Sequence, residues 1–182
     1  MGDNELSLID KQLTSLQDLP LSPAVTSLNL HCNHIPRIEG LSSAWHLRHL
    51  DLSSNRISKI EGLSSLTSLR TLNLSSNLIT KIEGLNGLVN LTKLNMSYNQ
   101  INNVTGLLYL HGTEYKLKHL SLNSNLIDSM DHLLQCLLGL QGLRSVTLSK
   151  DGGDNPVCSA PGWNGNTTFL HHYTDEYPVW GI

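Results

Sequence analysis

The stretch Leu47-Arg-His-Leu50-Asp-Leu52-Ser-Ser-Asn55-Arg-Ile57-Ser-Lys-Ile60-Glu-Gly62-Leu63 decides the fold, because the chain repeats it almost at once. Leu69-Arg-Thr-Leu72-Asn-Leu74-Ser-Ser-Asn77-Leu-Ile79-Thr-Lys-Ile82-Glu-Gly84-Leu85 keeps every apolar position, and Leu91-Thr-Lys-Leu94-Asn-Met96-Ser-Tyr-Asn99 begins a third copy. Asn33, Asn55, Asn77 and Asn99 step by 22 residues, and so do Gly40, Gly62, Gly84 and Gly106. The alternation Leu50, Asp51, Leu52 has the period of two that marks a strand with one buried face. The asparagine then turns the chain, and its amide can satisfy backbone groups of the neighbouring coil that would otherwise be buried unpaired. The Ile-x-x-Ile-x-Gly-Leu half brings apolar residues inward from the opposite side. One unit cannot bury its own apolar face, so neighbouring units must stack.

This phrase resembles the leucine-rich repeat, whose unit of about 20–29 residues reads L-x-x-L-x-L-x-x-N-x-L. It predicts an α/β fold, a right-handed solenoid with a parallel concave sheet and short helices or 3-10 turns on the convex side. Regular units begin at Val25, Leu47, Leu69, Leu91, Leu117 and Leu143, with turn asparagines Asn33, Asn55, Asn77, Asn99 and Asn125. Residues 1–24 are expected to form an N-terminal cap or degenerate repeat, 25–148 about six repeats, and 149–182 an incomplete C-terminal cap and irregular tail. The step from Asn99 to Asn125 is 26, which puts about four extra residues near Leu110–Tyr115 in a loop on one face. Between Asp128 and Leu140, Met130, Leu133, Leu134, Leu137 and Leu138 fall at helical spacing. Residues 164–182 carry no repeat and no amphipathic period, so the apolar residues near Val146 and Leu148 are expected to be poorly covered and this end less stable.

Composition narrows the function. A net charge of -3 and a pI near 6.3 argue against a general polyanion binder. The three cysteines, Cys32, Cys136 and Cys158, are odd in number and lack the spacing of a disulfide framework. Met1-Gly-Asp-Asn-Glu-Leu has no basic region followed by an apolar one, and no apolar run approaches the ~18 residues of a membrane span, so an intracellular, soluble chain is expected. The N-x-[ST] triplets at Asn73, Asn90 and Asn103 follow from the repeat grammar.

The outward positions of stacked strands form columns on the concave face. One column reads Thr26, Arg48, Arg70, Thr92, Lys118, Arg144, and the next Ser27, His49, Thr71, Lys93, His119, Ser145. Asn29, Asp51, Asn73, Asn95, Ser121 and Thr147 make a third, and His31, Ser53, Ser75, Ser97, Asn123 and Ser149 a fourth. Arg48, His49, Asp51, Arg70, Asn73, Lys93, Asn95, Tyr98, Lys118, His119 and Arg144 are therefore the candidate partner-binding residues. They describe a weakly positive groove for an acidic segment or helix of a protein partner. Nucleic-acid binding would need more basic charge and more stacking aromatics than Tyr98 alone. A metal site from His31, Cys32, His34, His46 and His49 is disfavoured, because His31 and His49 occupy repeat positions ~13 Å apart along a strand. No nucleophile elbow, phosphate loop or H-E-x-x-H is present, and Glu39, Glu61 and Glu83 recur by repeat number rather than as an acid/base pair. No cofactor is implied.

The Ile-x-x-Ile-Glu-Gly-Leu half resembles the 22-residue class found in leucine-rich regulatory subunits of protein phosphatase 1 and in axonemal dynein light chains. More specific phrases resemble the N-terminal repeat region of the centrosomal leucine-rich-repeat and coiled-coil family, over about residues 6–162. They are Asn29-Leu-His-Cys-Asn33, Leu110-His-Gly112, His132-Leu-Leu-Gln-Cys136 and Asp154-Asn-Pro-Val-Cys158. The resemblance implies a non-enzymatic scaffold in the cytoplasm and cytoskeleton, at centrosomes or centrioles, serving spindle poles and cilia. No heptad run is visible in 164–182, so a monomer is expected. The phosphatase resemblance implies instead an enzyme modulator, whose [KR]-x-V-x-[FW] docking phrase Arg144-Ser-Val-Thr-Leu148 matches loosely.

Overall fold

Leucines at every second position give each unit a three-residue strand, and the strands stack in one sheet. In the computed structural model, which describes residues 4–159 and the backbone of 168–174 and 177–181, seven such strands lie parallel in sequence order. They are β1 (Glu5–Ser7), β2 (Ser27–Asn29), β3 (His49–Asp51), β4 (Thr71–Asn73), β5 (Lys93–Asn95), β6 (His119–Ser121) and β7 (Ser145–Thr147). The register aligns Leu6, Leu28, Leu50, Leu72, Leu94, Leu120 and Val146. The last six of these are at most 2% exposed. The columns read from the sequence are thus the register of the sheet.

On the convex side the chain returns through short turns, with 3-10 segments at Ser42–Ala44 and Thr105–Leu110 and one helix, α1 (Met130–Leu137). Ser129 caps α1, its hydroxyl accepting from the His132 N–H, and Leu133, Cys136 and Leu137 form the buried stripe. The helix is shorter than the apolar spacing predicts. Ile38, Ile60 and Ile82 close the core from this side, all at most 2% exposed. Gly62 and Gly84 sit at φ +70° and +68°, and a Cβ at either would meet the carbonyl of Ile38 or Ile60 well inside contact distance. The 22-residue glycine column is therefore required by backbone approach between coils.

The turn asparagines seal each coil to its predecessor. Asn77 Nδ2 donates to Leu52 O (3.0 Å) and Leu74 O (3.1 Å), and its Oδ1 accepts from Ile57 N (3.0 Å). Asn55 and Asn99 repeat the pattern, and so does Asn125, with Asn33 playing the same part for the first coil. Because Leu52 O also accepts from Asn55 and Leu74 O from Asn99, each such carbonyl is held by two amides.

The two ends use other joints. The opening segment, expected as a cap or degenerate repeat, supplies β1 in register with β2. It carries Lys11 where the later coils have asparagine. At the other end Val146 and Leu148 are fully buried, not poorly covered. Asn155, 30 residues after Asn125, seals this coil by donating to Leu122 O and Leu148 O (2.8 Å each) and accepting from Ile127 N. Val157 and Cys158, in the 3-10 turn Pro156–Ser159, add apolar cover. The tail expected to be irregular adds β8 (Thr168–Thr174), antiparallel to β7, and β9 (Tyr177–Gly181), antiparallel to β8. An open β7 edge offers unpaired N–H and C=O groups, and β8 pairs with them. Pro161, Gly162 and Trp163 lie outside the described residues.

Candidate functional site

The concave face divides into two lanes. The first runs past the carboxyl ends of the strands as a groove of about 630 Å³, lined mainly by asparagines and serines such as Asn73, Ser75, Asn95 and Ser97, with Asp51 and Tyr98. Its side chains are fixed by their own strands. Asp51 Oδ1 accepts from Ser53 N (2.8 Å) and Ser53 Oγ (2.5 Å). Asn73 Oδ1 accepts in the same way from Ser75, and Asn95 Oδ1 from Ser97. Each is an Asx turn that closes the end of a strand. Asp51 Oδ2 also accepts from Asn73 Nδ2 (3.3 Å), so this carboxylate is satisfied locally on both oxygens.

His31 Nδ1 lies 2.8 Å from Ser53 Oγ. Since the Ser53 hydroxyl proton goes to Asp51, His31 Nδ1 is the donor in this pair. The order histidine, serine, aspartate is wrong for a nucleophilic relay, in which the histidine must stand between serine and acid and take the serine proton. His49 Nδ1 pairs with Thr71 Oγ1 and His119 Nδ1 with Ser145 Oγ, each at 2.8 Å. These rings join neighbouring strands.

The second lane lies at the amino ends of the strands and is basic. Arg48, Arg70 and Arg144 are exposed, Lys93 is exposed at the start of β5, and Lys118 is half-buried. None of these five lines the long groove. The candidate residues therefore do not converge on one pocket. Asp51, Asn73, Asn95 and Tyr98 line the amide lane, while Arg70, Lys93, Lys118 and Arg144 flank it. Tyr98 is 49% exposed, at φ +55°, in the column of Cys32, Ser54, Ser76 and Ser124, which share the left-handed turn.

Lys150 and Asp151 close the far end of the groove; sequence reasoning counted Lys150 on this face but passed over Asp151, and it did not place Asn155 among the turn asparagines. Asn155 breaks the 22-residue step, and only its place after a strand signals it. The phosphatase-like phrase Arg144–Leu148 spans β7, with Val146 and Leu148 both 0% exposed, so neither side chain is presented for docking. The insertion is tied down rather than loose: Tyr115 Oη accepts from Gly87 N (3.1 Å) and His111 Nε2 meets Cys136 O (2.8 Å). Burial pushes the Cys136 thiol above the ordinary thiol range, and that of Cys158 too, the latter also through Asp154 and against a lowering hydrogen bond from the Asn155 backbone. Both are packing groups rather than nucleophiles.

A family model described as Leucine Rich repeats (2 copies) matches residues 23–65, 45–87 and 67–109. The human Leucine-rich repeat and coiled-coil domain-containing protein 1 is 65% identical over 159 residues, 87% of this chain and 15% of that protein. The Xenopus laevis protein of that name is 66% identical over 161 residues, covering 88% and 16%. This chain thus spans 15–16% of the length of these relatives. Among solved structures, a TLR13–ssRNA13 complex aligns with a TM-score of 0.68 and 32% identity over 78% of this chain and 21% of that one. An internalin C2 from Listeria monocytogenes aligns with a TM-score of 0.55 and 26% identity over 90% and 76%.

Proposed function

Because the chain belongs to the leucine-rich-repeat proteins, we propose that it works as a non-enzymatic protein-binding scaffold, at centrosomes or centrioles, contributing to spindle-pole integrity and cilia. The observation that carries the binding role is the state of the concave surface. Its polar side chains are already fixed by hydrogen bonds within and between strands, as in Asp51–Ser53–His31 and Asn73–Ser75, so a partner meets a preformed surface and does not bear the cost of ordering it. The location rests on the 64–66% identity to the leucine-rich-repeat and coiled-coil proteins and on the centrosomal role that the resemblance implies. The test is fluorescence imaging of the tagged 182-residue chain against a centriole marker in dividing cells. Focal signal at the poles is expected. A uniformly diffuse signal would refute the assignment for this chain.

A further inference from the structure

We infer that the basic lane at the amino ends of β4–β7 is a docking row for an acidic segment of a partner protein, lying across the strands with the amide groove beside it. The inference rests on the scaffold reading and deepens it by naming the face and the partner chemistry. Each of these strands contributes one cation at or just before its first residue: Arg70, Lys93, Lys118 and Arg144. Strands in a sheet stand about 4.8 Å apart, so the row runs for roughly 14 Å. Two cations away from the row are paired with carboxylates, Arg37 with Glu61 (3.2 Å) and Lys81 with Glu83 (3.4 Å). The four cations of the row have no ion-pair partner among the described residues.

Among the described residues the acids of this face, Asp51, Asp151 at the far end of the groove and Glu5 on β1, form no ion pair with the row. Asp51, in the adjoining column, has both carboxylate oxygens occupied by Ser53 and Asn73. A row of like charges held by a rigid sheet repels itself, and an anionic partner relieves that repulsion while steering encounter. An acidic polypeptide fits both lanes, with carboxylates on the cations and backbone amides on the neighbouring asparagine and serine side chains. Single-stranded nucleic acid fits less well, since among the described residues lining the groove the only stacking side chains are Tyr98 and His31, and His31 is already held by Ser53.

The experiment is fluorescence anisotropy of the purified full chain with a labelled glutamate-rich peptide, beside a glutamine-for-glutamate peptide and a single-stranded RNA of equal length. Binding of the acidic peptide alone is expected. It should weaken as salt rises from about 0.1 to about 1 M, where the Debye length falls from roughly 10 to roughly 3 Å. The double variant Arg70→Glu with Arg144→Glu should lose about tenfold or more in affinity, and the convex control Lys81→Glu should not. Arg70→Gln with Arg144→Gln, which leaves no repulsive charge, covers the case in which reversal disturbs folding. Equal binding of the glutamine peptide, tighter binding of the RNA, or unchanged affinity in the folded double variants would overturn the docking row. Pole localisation that persists in the double variants would remove this face while leaving the scaffold role intact.

Discussion

Replacing Asn77 by alanine tests the architecture at its most repeated joint. The side chain is 6% exposed and serves four backbone groups of two coils, Ile57 N, Leu52 O, Leu74 O and Ser75 O. Its loss does not strand them equally. Leu52 O keeps its bond from Asn55 and Leu74 O its bond from Asn99, whereas the buried Ile57 N–H loses its acceptor. One orphaned buried donor costs about 1–3 kcal/mol, and each weakened carbonyl adds roughly 0.5–1 kcal/mol. The expected loss is therefore about 3 kcal/mol, read as a lower urea midpoint at unchanged slope. Hydrogen exchange supplies the local readout: the Ile57 amide should lose protection before those of Ile35 and Ile101. Asn33→Ala is the internal control, because the amides it serves, Lys11 and Leu13, lie in an exposed and a half-buried residue that water can reach. Its cost should be nearer about 1 kcal/mol. Equal costs for the two variants, or an Ile57 amide as protected as before, would refute the reasoning.

Gly84→Ala combines a positive φ with collision against Ile60 O and should cost roughly 2 kcal/mol or more, measured by the same titration. Gly87→Ala has the positive φ without the collision and should cost less; the reverse order would count against the close-approach account. Asn155→Ala should lower the midpoint about as much as Asn125→Ala and expose the Ile127 amide to exchange, whereas a neutral result would mean Val157 and Cys158 suffice as a cover. Cys32 should alkylate first in the folded chain, with Cys136 and Cys158 reacting only after denaturation, as counted by mass spectrometry. Burial holds the latter two thiols protonated beyond the range of an unfolded chain, about 8.5. The stability they contribute is thus complete below that value and is lost as pH rises through their raised folded values, seen as a midpoint that falls more steeply at alkaline pH in the wild type than in a Cys136→Ala, Cys158→Ala chain.

The fold was legible because its two periodicities are enforced by burial. Leu50, Leu72 and Leu94 must face inward, and Gly62 and Gly84 must let one backbone approach the next, so both recur at fixed spacing. The first and last coils were harder to read because their joints use other means. Lys11 has no sealing amide, and Asn155 stands 30 residues from Asn125, outside the regular step. The hairpin of β8 and β9 follows from an available sheet edge, a property of the assembled sheet that no local pattern announces. For the site, sequence supplied the columns but not their division into lanes. Which side chains are engaged, as Asp51 is and Lys93 is not by any ion pair among the described residues, depends on partners 2 and 22 residues away.

The asparagine joint has a direction, and that direction bears on how the chain is made. Each amide belongs to one coil but supplies the acceptor that the preceding coil lacks and a second donor to its carbonyl, as Asn77 does for Ile57 N and Leu52 O. During synthesis a coil that has already emerged cannot close until the next asparagine follows it, 20 residues behind the amide it serves in the regular repeats and 28 in the case of Asn155. Closure therefore proceeds as a wave trailing the emerged chain by one coil. A pause in translation that holds a turn asparagine inside the ribosome would leave one coil open, with Ile57 or its counterpart accessible to chaperones for as long as the pause lasts.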